Sequence, residues 1–214
     1  FAAAIANNTS SYGATGGHSL AMGWGAKATS SQSVSLGGFY SQATGNYAVT
    51  LGGSQNTASG EYSVAISGST NVSSGNYSSV LGGQSNTASG SHSVAMGYHA
   101  NASIGKSVFA SGRFSADGDA QSGTFVLRSD TTDATPEALT TNNLTAGTTN
   151  QIVAASDTCI TFSGTIVAMQ NGAQSYGSWE IKGLLVNDGG TTTVPNSAIT
   201  VIQNASSWGL ALSA

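Results

Sequence analysis

GNYAVTLGGSQNTAS (residues 45–59) and GNYSSVLGGQSNTAS (residues 75–89) are two copies of one unit. Working outward from them, equivalent units open at Gly16, Ser30, Gly45, Gly60, Gly75, Gly90 and Ile104, with spacings of 14, 15, 15, 15, 15 and 14 residues. Such a period marks stacked supersecondary units rather than one mixed core. Four and six residues into each unit stand Leu20 and Met22, Val34 and Leu36, Val49 and Leu51, Val64 and Ile66, Leu81, Val94 and Met96, and Val108. Side chains two apart share one face of a strand. These residues are therefore expected to form the apolar core of the roll or of its association. Ser79 stands where other units have Val, and Ser67 where others have Gly. Glycine pairs such as Gly52-Gly53 end the strand. A second short strand then carries Ala43, Ala58, Ala88 or Ala102, and Ser-Gly or Thr-Gly closes the unit. Two strands and two turns in 15 residues predict one coil of a β-solenoid, or β-roll. Seven coils at strand spacing give a rod segment about 35 Å long.

Such a coil buries little. Three small apolar side chains contribute about 4–6 kcal/mol. Fixing each backbone residue costs about 1–2 kcal/mol. A single roll is thus marginal, and self-association is expected to supply the missing burial.

Two further columns follow from the period. Tyr47, Tyr62 and Tyr77 occupy one position, continued by His92 and, at a distance, His18. Together with Tyr176, Trp179 and Trp208 of the second half, these tyrosines are the candidate receptor surface. The competing structural reading is a column at a subunit seam or on the rod surface for Tyr47, Tyr62 and Tyr77, and core packing for the tryptophans. Asn56, Asn71, Asn86 and Asn101 form an asparagine ladder, expected to be structural.

Composition excludes several functions. The 214 residues include 29 Gly and only 2 Pro, and 7% are charged. Residues 1–105 hold only Lys27 and Glu61, and the net charge of −4 arises after them. With no basic patch, neither nucleic acid nor an anionic membrane is an expected partner. No apolar run is long enough to span a bilayer as a helix. Cys159 stands alone, so no internal disulfide forms, and it is expected as a small buried hydrophobe. The sequence has no HExxH, GxSxG, phosphate-binding loop or CxxC motif, so no catalytic site, metal or cofactor is expected. Asp117-Gly-Asp119 offers two carboxylates, which reads as a turn rather than a calcium site. The opening FAAAIANN reads as a chain cut mid-repeat and the closing SWGLALSA as a strand cut short, the pattern of a piece of a longer protein.

The units SVSLGG, AVTLGGSQNTASG, SSVLGGQSNTASG and SVAMG resemble the head repeats of trimeric autotransporter adhesins (YadA-like). That resemblance implies a left-handed parallel β-roll in which three chains form an obligate trimer. The GG-x-x-NTASG form is also similar to repeats of phage tail fibres.

After Ala116 the period stops. Residues 1–116 are expected as the roll shaft, 117–150 as a polar connector with one strand at Thr124–Arg128, and 151–214 as a small antiparallel β-sandwich-like domain. Its strands are predicted at Cys159–Gln170, Ser178–Val186, Thr191–Val194, Ala198–Gln203 and Trp208–Leu212. Asn187-Asp188-Gly189-Gly190 is the hairpin turn. GDAQSGTFVLRSDTTDATP (118–136), TFSGTIVAMQ (161–170) and WEIKGLLV (179–186) are similar to C-terminal regions of phage fibre and other virion proteins. The combined resemblance implies a homotrimeric, non-enzymatic virion fibre that attaches to a host-surface glycan or protein and contacts other virion proteins. Its alternatives are a bacterial surface adhesin fragment and a capsid or tail-hub decoration protein.

Overall fold

The computed structural model describes residues 12–133, 135–172, 175–204 and 208–214. The opening FAAAIANN lies outside them. The chain divides into two compact units, 1–151 and 152–214. Among the described residues both are all-β, without a helix.

The first unit is a β-solenoid of about seven coils. Each coil gives one strand to each of two parallel sheets. One sheet consists of two-residue strands, from Gly13–Ala14 to Asn101–Ala102. The other runs from Leu20–Trp24 through Val49–Leu51 and Ser79–Gln84 to Lys106–Ser111. Equivalent residues pair directly: Val34 with Val49, Val49 with Val64, Val64 with Ser79, and Ser79 with Val94.

The interior is not the one expected. Leu20, Met22, Val34, Leu36, Val49, Leu51, Val64, Ile66, Leu81, Val94 and Met96 point out of the roll and stay half-buried or exposed, with Leu51 at 37% and Leu81 at 52%. The residue between them points inward: Ala21, Ser35, Thr50, Ala65, Val80 and Ala95, all at most 2% exposed. Facing them are Ala28, Ala43, Ala58, Ser73, Ala88 and Ala102. The physical reason is size. A coil with so few strand residues holds its two sheets close, and only Ala, Ser, Thr or Val fits between them. The polar members bond within the roll: Thr50 Oγ1 donates to Ser35 Oγ at 2.8 Å, and the hydroxyls of Ser73 and Ser78 lie 2.7 Å apart. Ser79 therefore does not interrupt the core, because Val80 fills it.

Val108 is buried inside the roll because the last coil is two residues shorter than the 15-residue unit, so that Val94 pairs with Ser107. Ala95 pairs with Val108 and Met96 with Phe109. An earlier one-residue loss, the register shift between Val80–Ala95 and Gly83–Gly97, removes Asn101 from the asparagine ladder. Asn101 pairs with Thr87, and Ala100 takes the bond to Asn86 Oδ1 at 2.9 Å. Asn56, Asn71 and Asn86 do form the ladder and are fully buried. The Asn71 amide donates to Ser67 O and Gly83 O, and its oxygen accepts from Asn86 N and Asn86 Nδ2.

Beyond the coils, the strand expected at Thr124–Arg128 lies at Gln121–Phe125 and pairs antiparallel with Lys106–Ser111. The two carboxylates of Asp117-Gly-Asp119 are already engaged. Asp117 meets His99 and Arg113, and Asp119 accepts the amides of Phe114, Ser115 and Ala116. Those backbone bonds, Ala116 and Ser115 foremost, hold the Asp119 carboxyl at a pKa of about 2.

The second unit is a three-stranded antiparallel sheet, Thr158–Met169, Tyr176–Asp188 and Thr191–Asn204. Among the described residues no second sheet faces it, so it is not a sandwich. The hairpin turn falls at Gly189 and Gly190, with φ of 56° and 88°. The two strands expected at Thr191–Val194 and Ala198–Gln203 are one strand, carried past Pro195 by a register shift opposite Leu184–Val186. Proline is tolerated there because the strand is an edge and the ladder is already broken. Trp208–Leu212 forms no strand. Cys159 is exposed rather than buried. Strand alternation turns its neighbour Ile160 to the half-buried side instead.

Candidate functional site

Two surfaces of the roll are available for contact. The first is the aromatic column. Tyr47, Tyr62, Tyr77 and His92 sit at a corner of successive coils, all with φ of 55–59°. L-residues adopt this left-handed region rarely, and bulky ones at a cost. Stacking offsets that cost. The ring centroids are 4.5, 5.0 and 5.1 Å apart, with planes 5°, 7° and 4° from parallel. Stacked pairs of this kind contribute about 0.5–1.5 kcal/mol each. Partial desolvation by its neighbours, then the nearby Tyr47, Glu61 and Tyr77, push the Tyr62 phenol above its usual pKa.

The stack also limits what the column can bind. Each inner ring face is covered by the next ring, so a sugar cannot lie flat on it. What remains exposed is a row of ring edges and hydroxyls, with Tyr47 39%, Tyr62 42% and Tyr77 53% accessible.

A second left-handed column, which the sequence reading missed, comprises Tyr40, Gln55, Thr70, Ser85 and His99, with φ of 53–62°. Its signal in the sequence is weak because no residue type repeats. Thr70 is the most strained by type, being β-branched. Thr70→Gly is expected to raise the unfolding free energy by about 1 kcal/mol. Urea denaturation of the two proteins checks this.

The second surface is the outward ladder of Leu, Val, Ile and Met on the longer-stranded sheet, which ends at Phe109, 52% exposed. It carries no charged side chain from Val34 to Met96. In the second unit, Tyr176 is 50% exposed, Trp208 is half-buried, and Trp179 is only 4% exposed. Trp179 is thus removed from the candidate receptor surface. Its ring lies over Gly177, where an added Cβ would come within 2.4 Å of it. Among the described residues no group of three or more His, Cys, Asp or Glu is placed to hold a metal ion.

The family model for the YadA head domain repeat matches residues 14–39, 53–66, 73–100 and 88–115. YadA head repeats are present in the roll. They suggest an adhesin-like fibre function. No curated protein and no solved structure matched the chain.

Proposed function

We propose that this chain is a structural, non-catalytic fibre segment that assembles as a homotrimer through its outward apolar ladder and attaches to a host surface. The observation that carries the reading is the ladder itself. The roll keeps its smallest residues inside and turns its largest aliphatic ones outward, so most of its apolar area is buried only when copies meet. Attachment then follows from multiplicity: weak contacts by exposed tyrosine edges, repeated along the rod and across three chains, add up to avidity.

The ladder is tested by Leu51→Glu combined with Ile66→Glu. Both side chains point outward, so the coil itself tolerates the change. The unaltered chain is expected to sediment at three times the chain mass, and the double variant at the mass of one chain. A monomeric unaltered chain at micromolar concentration would overturn the proposal.

For the setting we favour a phage virion, as a tail fibre or related appendage, with other virion proteins as neighbours. The second-half segments quoted above support this. The YadA head matches support a bacterial surface adhesin equally well. Immunogold labelling with an antibody to this chain separates the two: gold on tailed particles supports the virion, and gold confined to cell envelopes supports the adhesin.

A further inference from the structure

A stack of coils ends in two open sheet edges, and open edges recruit other strands. In this roll both edges after the last coil are closed by one short segment. The edge strand Lys106–Ser111 of the longer sheet is covered by Gln121–Phe125, paired from Ala110 with Gln121 to Lys106 with Phe125. Among the described residues no strand meets the other edge, Asn101–Ala102. Instead the Gln121 side chain takes it: Asn101 N donates to Oε1 at 2.8 Å, and Nε2 donates to Asn101 O at 2.9 Å. One side-chain amide thus supplies the donor and the acceptor that a further coil would supply from its backbone. Gln121 closes both sheets at once.

The loop before Gln121 is held down by contacts with the last coils. Gly118 N donates to His99 O at 2.9 Å. Asp117 Oδ1 lies 2.6 Å from Nδ1 of the buried His99 and also meets Arg113. Asp119 gathers three backbone amides of residues 114–116, which fixes the loop. Gly118 lies against the coil with φ +88°, and an added Cβ would stand 2.9 Å from Asn101 Cβ.

We infer that residues 112–125 form a detachable cap, and that the two edges beneath them are a docking surface for a coil of a second copy of this chain. The fit of that occupant follows from the repeat. Every coil already docks on its neighbour in parallel register through backbone bonds, and the coil sequences are nearly the same. The cap satisfies the short-strand edge with one side chain, whereas a coil would satisfy it with backbone at both strand residues. A second copy docked there, with its own cap released in turn, exposes the same two edges at its far end, so the contact is head-to-tail and grows rather than closes.

The experiment uses the full chain carrying Gln121→Ala and Gly118→Val, both outside the repeated coils. Sedimentation velocity and negative-stain microscopy follow mass against concentration, and hydrogen exchange follows the amides of residues 122–125. The expected result is loss of protection at those amides and a mass that climbs several-fold without plateau, with rods joined end to end. An excess of a synthetic peptide of residues 112–127 is expected to return the mass to that of the unaltered chain. Asp119→Asn is a gentler release, because Asp119 bonds only within its own loop; it is expected to grow in the same way, more slowly. Open amides with an unchanged mass in both variants would overturn the inference, and so would amides that stay protected. Growth is read relative to the unaltered chain, so the result is independent of whether that chain is a trimer.

Discussion

Replacing Asn71 with alanine is expected to lower the unfolding free energy by about 4 kcal/mol. Asn71 is fully buried, and its amide ties two successive coils together. Its nitrogen holds Ser67 O and Gly83 O, and its oxygen holds the backbone and side-chain nitrogens of Asn86. Truncation leaves Asn86 N without a partner where water cannot replace it, at about 1–3 kcal/mol, and removes one bond each from Ser67 O, Gly83 O and Asn86 Nδ2, which keep other partners, at about 0.5–1.5 kcal/mol per bond. Asn71→Asp separates the two ends of the amide. It keeps the acceptor for Asn86 but turns the two carbonyls against a buried carboxylate, so it is expected to be at least as damaging at neutral pH. Denaturant titrations of both variants beside Thr57→Ala, a half-buried ladder position, check the ranking. A loss no greater than the Thr57 control would show that the ladder is decorative.

The second large effect is expected at a glycine whose role is spacing, not conformation. Gly60 has no positive φ, yet an added Cβ would stand 2.1 Å from Gly75 O and 2.6 Å from its carbonyl carbon. Backbone cannot swing aside as a side chain can, so Gly60→Ala forces the two coils apart. It is expected to cost about 3 kcal/mol, the upper end of overpacking penalties. Gly52→Ala is the internal comparison. Gly52 has φ +68°, but nothing beyond its chain neighbours comes closer than 3.9 Å to an added Cβ. It should cost only about 1 kcal/mol, the penalty of a left-handed alanine. Thermal melts of the pair, read by far-ultraviolet circular dichroism, test the order. Equal losses would mean that coil spacing is softer than these contacts imply.

Both predictions depend on stacking, and stacking explains which parts of the molecule were legible in its sequence. The aromatic column was legible because identical residues recur at one spacing, and parallel coils carry equal positions into contact. The asparagine ladder was legible for Asn56, Asn71 and Asn86. It failed at Asn101 because one residue is lost between Ala95 and Gly97, and a single residue shifts every later partner. Cys159 was misplaced, and Trp179 packs in the core rather than joining the receptor surface, for a related reason: the side of the second-unit sheet that each faces depends on strand register, which composition does not encode.

The chain by itself determined the period, and the period determined the coil. A 15-residue unit with one apolar alternation and two turn signals has room for two short strands and little else. Tertiary structure decided which side of the strand is the inside. Alternation allows either face, and hydrophobicity alone favours the larger side chains as the core. Two sheets only a coil's width apart admit Ala, Ser, Thr and Val, and turn Leu, Ile and Met outward. The closing of the roll was likewise beyond the sequence, because nothing local to Gln121 marks its side chain as the partner of Asn101, 20 residues away. That contact exists only once seven coils have stacked and left an edge to cover.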